Sequence, residues 1–328
     1  MGGLGIDLGT ANTVVAQPQH GIVFNEPSVM LVRTEQPYEA VLVGHEAREL
    51  IGRTPRGFET IRPLRDGVII DLRLARAFIV AIIRKARPGW WNVIRPRAVI
   101  AVPVGATALE RRALLEVAHE AGLRKVALVP EPVAGALGSG VNPVEPRAHL
   151  VVDIGGGTAE ITGFCFGGVL THRSCRTAGD ELTQALYQHL RVEHHIIVGE
   201  LTAEDVKVRL DAEDEPPLVV EGRDAATGRA RLVTLNTDEV MDALRPTTTE
   251  IVNTLTSCLE DLPAQAVGDV MSEGVLAIGG GSMLRGFTAL LEEAFGFPVK
   301  LADRPLTCVA EGASACLQQS VVVAAYGD

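Results

Sequence analysis

Residues Val151-Val152-Asp153-Ile154-Gly155-Gly156-Gly157-Thr158 carry an apolar strand into an acid, a glycine turn and a hydroxyl, and a second strand follows at Glu160-Ile161-Thr162-Gly163-Phe164. The same succession of residue types occurs once before, as Gly5-Ile6-Asp7-Leu8-Gly9-Thr10-Ala11-Asn12-Thr13-Val14-Val15. Glycine lets the backbone approach a bulky anion, while the neighbouring Asp, Thr and Asn supply a carboxylate and donors. The chain therefore reads as two related halves, each offering a phosphate-sized turn. Taken alone, the first of these turns reads more simply as a polar hairpin turn.

A third glycine turn, Gly279-Gly280-Gly281-Ser282-Met283-Leu284, follows the apolar strand Val275-Leu276-Ala277-Ile278. Between the first two turns, the strand Val126-Ala127-Leu128-Val129 leads into Pro130-Glu131-Pro132 and a small-residue helix. Pro132 suits the first turn of that helix, so Glu131 stands at a strand-to-helix corner, where an open sheet collects chemistry. A lone Glu at a corner is ordinarily a cap or a solvated side chain. Three glycine turns on strand ends, acids in the first two and a Glu between them make a much more specific constellation.

With 328 residues, 47% hydrophobic, the chain is long enough to bury two cores. Its net charge of -11 excludes a general nucleic-acid binder, so any anionic partner must meet a local patch. Cys165, Cys175, Cys258, Cys308 and Cys316 lack C-x-x-C spacing and read as buried free thiols in a reducing cytosol. No apolar run reaches the length of about 20 residues that a spanning helix needs.

The spacing predicts a helix from Leu72 to about Ala86 with Asp71 as its N-cap, and a second helix opened by the capping box Thr107-Ala108-Leu109-Glu110 and stopped by Gly122. Segment 28–67 reads as a small insert in the first half, and the region from Thr202 through the strand-rich Leu218–Leu235 as a matching insert in the second. A break or kink is expected at Pro246 within a helical region from Asp238 to about Asp261, and one apolar helix from Val309 to about Val323 closes the chain. His194 and His195, adjacent and without a third ligand nearby in sequence, read as structural or surface residues.

Trp90 and Trp91 lie side by side between Pro88 and Pro96, with Arg84, Lys85, Arg87, Arg95 and Arg97 around them. Apolar aromatic tips inside a basic collar suit the interfacial zone of an anionic bilayer. The alternative is that both tryptophans fold back onto the domain.

The order of the turns around Glu131 resembles the actin-like ATPase superfamily. Within it the chain is similar to the bacterial actin family MreB over nearly its whole length. That likeness rests on Gly5–Thr13, Asn25–Val29, Gly52–Pro55, Ile61–Ile69, Val102–Thr107, Glu110–Ala113 and Pro305–Ala310, several of them outside the phosphate turns. The resemblance implies an α/β fold of two related actin-like (ribonuclease H-like) domains. Each is a mixed sheet flanked by helices with a small inserted subdomain, and a nucleotide cleft lies between them. Domain I is expected over 1–145 (core 1–30 and 68–145, insert 31–67). Domain II is expected over 146–310 (core 146–179 and 238–310, insert 180–237), with a C-terminal helix over 311–328 packing back on domain I.

The same resemblance implies a bacterial ATPase of the cell-shape cytoskeleton that polymerises with itself, sits in the cytoplasm at the inner face of the membrane and works with wall-synthesis membrane proteins. The nucleotide is ATP, with GTP an alternative. Gly9, Thr10, Ala11 and Asn12 would form one phosphate loop and Gly155, Gly156, Gly157 and Thr158 the other, with Asp7 and Asp153 holding Mg2+ largely through waters. Glu131 would orient the attacking water beside Thr158. Glu204 and Lys207 would contact the adenosine, with Gly280, Gly281, Ser282 and Met283 on its far side, and the Trp90-Trp91 loop falls where relatives carry a membrane-insertion loop.

Two departures bear on rate: Ala159 stands where the family often has Thr, and Pro130 where it has Glu. Hydrolysis is therefore expected to be slow. The competing readings are a filament scaffold that binds ATP with little hydrolysis and, further off, a small-molecule kinase of the same superfamily.

Overall fold

The computed structural model describes residues 3–65, 67–86, 95–210 and 218–327. Trp90 and Trp91, and with them the expected membrane loop, lie outside the described residues.

The first half opens with an antiparallel meander, β1 (Leu4–Leu8), β2 (Asn12–Gln17) and β3 (Gly21–Pro27). A small sheet of β4 (Met30–Arg33), β5 (Gln36–Val43) and β6 (Phe58–Ile61) follows, with the four-residue helix α1 (His45–Arg48) and the ribbon β7 (Leu64–Arg65) and β8 (Val68–Ile69). Then come α2 (Leu72–Ala86), β9 (Ala98–Val102), α3 (Ala108–Glu120), β10 (Val126–Pro130) and α4 (Glu131–Gly138). The main sheet has the order β10-β9-β1-β2-β3, with β1, β9 and β10 parallel.

The second half repeats this plan. Its meander is β11 (His149–Ile154), β12 (Ala159–Cys165) and β13 (Gly168–Cys175). Next in the chain are α5 (Gly179–Val192), β14 (Ile196–Ile197), α6 (Glu200–Arg209), β15 (Leu218–Asp224) and β16 (Ala230–Leu235), the three strands forming another small sheet. They are followed by α7 (Thr237–Thr256), α8 (Ala264–Glu273), β17 (Val275–Ile278), α9 (Phe287–Phe295), β18 (Val299–Leu301), α10 (Cys308–Cys316) and α11 (Ser320–Tyr326). The order β13-β12-β11-β17-β18, antiparallel on one side of β11 and parallel on the other, reproduces the first sheet strand for strand. The two halves are thus related in topology as well as in their turns.

Local chemistry sets several boundaries where the sequence predicts them. Asp71 accepts from the N–H groups of Arg73 (2.7 Å) and Leu74 (3.1 Å) to start α2. Phe78, Ile79 and Ile82 bury one face of that helix. At α3, Glu110 N–H donates to the Thr107 hydroxyl and Thr107 N–H donates back to the Glu110 carboxylate, closing the capping box.

Three expectations need correction. α7 runs on through Pro246, because that residue is exposed and the carbonyl it leaves without a partner belongs to exposed Asp242, where water can satisfy it. The helix ends instead in a 3-10 turn, Ser257–Asp261. The C-terminal apolar run is two helices, α10 and α11, bent by 103°, and among the described residues no single helix is long and apolar enough to cross a membrane. Finally, only Cys258, Cys308 and Cys316 are fully buried, whereas Cys165 and Cys175 are half-buried at the strand ends of β12 and β13; all five are free thiols.

Each half has its own core, and a third apolar cluster joins them. Val129 and Val133 come from the first half, Val151 and Ile278 from the second, and Val309 and Ala313 from α10. At its centre α4 and α10 touch backbone to backbone. A β-carbon added at Gly312 would lie 1.7 Å from the Ala134 carbonyl oxygen, and one at Gly138 would lie 1.9 Å from that of Cys308. Only glycine permits so close an approach.

Candidate functional site

The three glycine turns meet at one cleft of about 320 Å³ between the halves, lined from β1 and its turn, β11 and its turn, and the turn after β17. Asp7, Gly9, Thr10, Ala11, Asn12, Glu131, Asp153, Gly155, Gly156, Thr158, Glu204, Lys207, Gly280, Gly281 and Met283 all line it. The repeated strand–turn unit therefore delivers two acids and two sets of turn N–H groups to one volume from opposite sides. Gly157 is not among the lining residues, and Ser282 is buried with its hydroxyl donating to the carbonyls of Ile278 (2.9 Å) and Gly279 (2.7 Å). Ser282 thus braces the third turn from beneath.

The first turn is held by a buried chain of hydrogen bonds. The Ser28 hydroxyl donates to the Gly9 carbonyl at 2.6 Å and lies 2.8 Å from the Thr13 hydroxyl, while Ser28 N–H donates to the Ala11 carbonyl at 2.8 Å. The Thr10 hydroxyl, almost fully buried, accepts from Gly67 N–H at 3.0 Å, tying the turn to the end of the first insert. In the second turn Gly155 N–H donates to the Thr158 carbonyl (2.8 Å). The start of α5 packs on this turn, with Asp180 N–H donating to the Gly156 carbonyl at 2.7 Å. At the third turn Gly279 has φ +82, and a β-carbon there would come within 2.4 Å of the Asp153 carboxylate. A side chain at Gly279 would fill the space beside Asp153.

Electrostatically the floor of the cleft is a concentration of carboxylates. Burial raises the Asp7 carboxyl to about 7. Burial, then the charges of Asp7 and Glu160, raise Asp153 to about 8. Glu131, at the first residue of α4 after the Pro130 cap, is pushed well above its ordinary range by burial and by Asp7, Asp153 and Glu160. A recessed cluster of oxygen ligands whose charges oppose one another fits a hard divalent cation, and Asp7 and Asp153, one from each half, are its natural oxygen donors. Glu160, buried on β12, accepts from Val104 N–H (3.1 Å) and so reaches from the second half to the loop after β9 in the first.

At one wall, Lys207 donates to the Gly179 carbonyl (2.8 Å) and the Thr183 hydroxyl (3.0 Å) and pairs with Glu204 at 2.7 Å. Both predicted adenosine residues therefore belong to one network pinned to the start of α5. Close to Asp180 of the cleft wall, Arg62 of the first half pairs with Glu200 at the start of α6. Ala159, by contrast, is fully buried in the core of the second half, so its missing hydroxyl concerns packing there and not the cleft.

Sequence reasoning passed over Ser28, Glu160, Asp180 and the Arg62–Glu200 pair. Ser28 and Arg62 lie in motif-like stretches without a chemical signature of their own. Asp180 stands at the start of α5, and burial raises its carboxyl against the opposing effects of Arg62 and Lys207.

A family model described as MreB/Mbl protein matches residues 1–324. Cell shape-determining protein MreB of Escherichia coli (strain K12) is 39% identical over 322 residues, covering 96% of this chain and 93% of that protein. Cell shape-determining protein Mbl of Bacillus subtilis (strain 168) is 37% identical over 320 residues, covering 96% and 95%. Among solved structures, MreB5 of Spiroplasma citri bound to ADP superposes with a TM-score of 0.90 at 30% identity, covering 98% of each chain. The same protein bound to AMPPNP gives 0.89.

Proposed function

The chain belongs to the MreB/Mbl family, and from that premise we propose how its cleft and surfaces serve the function of the family. It is an ATP-binding and ATP-hydrolysing cytoskeletal protein that forms filaments and organises cell shape. The observation that carries the mechanism is the convergence of Asp7, Asp153 and Glu131 between two glycine turns supplied by duplicated halves.

The phosphates lie between the turns Gly9–Asn12 and Gly155–Thr158, whose N–H groups, apart from that of Gly155 already bonded to the Thr158 carbonyl, provide donors. Asp7 and Asp153 would hold Mg2+, which would supply positive charge to the phosphates when bound. Glu131 accepts a hydrogen bond from the attacking water and, with its raised proton affinity, takes up the proton as the water oxygen bonds to the γ-phosphorus and the bond to the bridging oxygen of ADP breaks. Thr158 stands beside that water. Glu204 and Lys207 flank the adenosine on one side and Gly280–Met283 on the other. GTP is a second substrate that the same phosphate turns accommodate. Turnover is slow because Pro130 stiffens the corner that carries Glu131; Ala159, lying in the core, does not contribute.

The filament works at the inner face of the membrane through the Trp90-Trp91 loop and its basic collar, with wall-synthesis membrane proteins as partners. Avidity along the polymer multiplies a weak single contact.

Two experiments test this. Phosphate release from ATP with Mg2+ should fall by about 100-fold or more in Glu131→Ala, the loss expected for a general base; equal release by both proteins removes the hydrolytic role, and no release by either leaves an ATP-binding scaffold. Co-sedimentation with anionic liposomes should be lost in the Trp90→Ala, Trp91→Ala double variant, and equal binding refutes the membrane role.

A further inference from the structure

A second ligand-like cluster lies outside the cleft. His189 sits in the last turn of α5, His194 just beyond that helix, and Glu239 in the first turn of α7. The Nε2 atom of His189 is 2.9 Å from Glu239 Oε1, and the Nε2 atom of His194 is directed at the same oxygen. The two imidazoles meet edge to face with centroids 5.5 Å apart. Two histidines and a carboxylate thus converge, although the pair of adjacent histidines in the sequence gave no hint of the other two groups. The third ligand lies 45 residues from His194 and reaches it only because α7 returns alongside α5.

We propose that His189, His194 and Glu239 form a binding site for a divalent cation of the zinc class. The chemistry of the donors points there. Two imidazole nitrogens and one carboxylate oxygen are the donor types that Zn2+, Co2+ or Ni2+ takes, whereas Mg2+ and Ca2+ require oxygens throughout. A tetrahedral ion with bonds of about 2.0 Å spaces its ligands about 3.3 Å apart. The three ligand atoms lie within 4.8 Å of one another, so small side-chain rotations open the cluster to that spacing.

The backbone holds all three in place. Leu186 and Leu190, buried on either side of His189, fix its turn of α5 in the core. Glu239 N–H donates to the Asn236 side chain at 2.7 Å, setting the first turn of α7, and the next residue, Val240, is fully buried. His195 adopts φ +54 and its carbonyl accepts from Ala225 N–H at 2.9 Å, which turns the chain sharply after His194. The side chains are 17%, 21% and 25% exposed, sheltered yet open enough for an ion to enter and keep a water as its fourth ligand. Bound there, the ion clips the end of α5 to the start of α7 beside the small sheet of the second half. The other end of α5, about 20 Å away, lies against the second phosphate turn.

The test uses the full-length, tag-free protein, stripped with a chelator and returned to buffer containing Mg2+ without nucleotide. Titration with Co2+ followed by Zn2+ is expected to show one equivalent of bound ion with a spectrum free of thiolate charge transfer, which separates this site from the five cysteines. A His189→Gln, His194→Gln variant should lose more affinity than the roughly 10- to 100-fold that removing an outer-shell partner costs. Nucleotide binding by the variant should stay unchanged, as its residues lie outside the cleft. Should that variant fail to fold, imidazole resonances of the unmutated protein report instead: Zn2+ must shift those of His189 and His194 and leave the other histidines in place. Equal binding by variant and wild type, a thiolate spectrum, or unmoved His189 and His194 signals each overturns the site and leaves a simple histidine–glutamate ion pair.

Discussion

Asp7 and Asp153 make a prediction at the scale of single residues. Both carboxyls titrate higher in the folded chain, at about 7 and about 8, than in an unfolded chain near 4. A folded state that binds more protons than the unfolded one is favoured while pH stays below the unfolded value, and that contribution is lost as pH rises through the folded values. The part of the melting temperature that these acids supply, in the protein free of nucleotide and Mg2+, should therefore fall from about pH 4 to about pH 8 and level off above, and Asp153→Asn should flatten the fall. A scan in which the two proteins run parallel would show that the acids are not held apart from solvent as described. These acids were legible in the sequence because each ends an apolar strand before a glycine turn. Ser28 was not, because a buried serine that braces a turn through backbone carbonyls looks like any other serine until the fold brings residues 9, 13 and 28 together.

Among the elements, the pair α4 and α10 is the most demanding. Gly312→Val would drive a side chain into the Ala134 carbonyl, and neither helix can retreat without opening the apolar cluster that joins the halves. Overpacking costs roughly 1–3 kcal/mol in an adaptable core, and a clash with backbone sits at or beyond the upper end of that range. Urea unfolding of Gly312→Val should show a midpoint loss of that size or no folded protein, while Gly286→Ala, in open space but at φ +73, should cost about 1 kcal/mol. The sequence revealed helices whose caps are local, such as α2 with Asp71 and α3 with its capping box. It misled at Pro246 and at the chain's end. In both cases the deciding fact is tertiary: which face of α7 meets solvent, and where α11 must turn to bury Val322.

For the molecule as a whole, the two halves share a floor and are tied again by the pair of Arg62 and Glu200. Both side chains are substantially exposed, so the pair contributes at most about 1 kcal/mol and weakens with salt. Arg62→Ala should therefore raise the nucleotide dissociation rate by about 5-fold or less, and wild type should approach the variant as salt increases. A salt-independent effect would mean that Arg62 acts directly on the nucleotide. The duplicated plan was legible from two turns, but the way the halves join was not, since the third cluster draws single residues from strands and helices far apart in the chain. The glycine-to-glycine crossing of α4 and α10 then acquires a mechanical meaning. Where Gly312 meets the Ala134 carbonyl and Gly138 that of Cys308, backbone rests on backbone and leaves no slack, so the seam between the halves is rigid at this crossing even though side chains surround it.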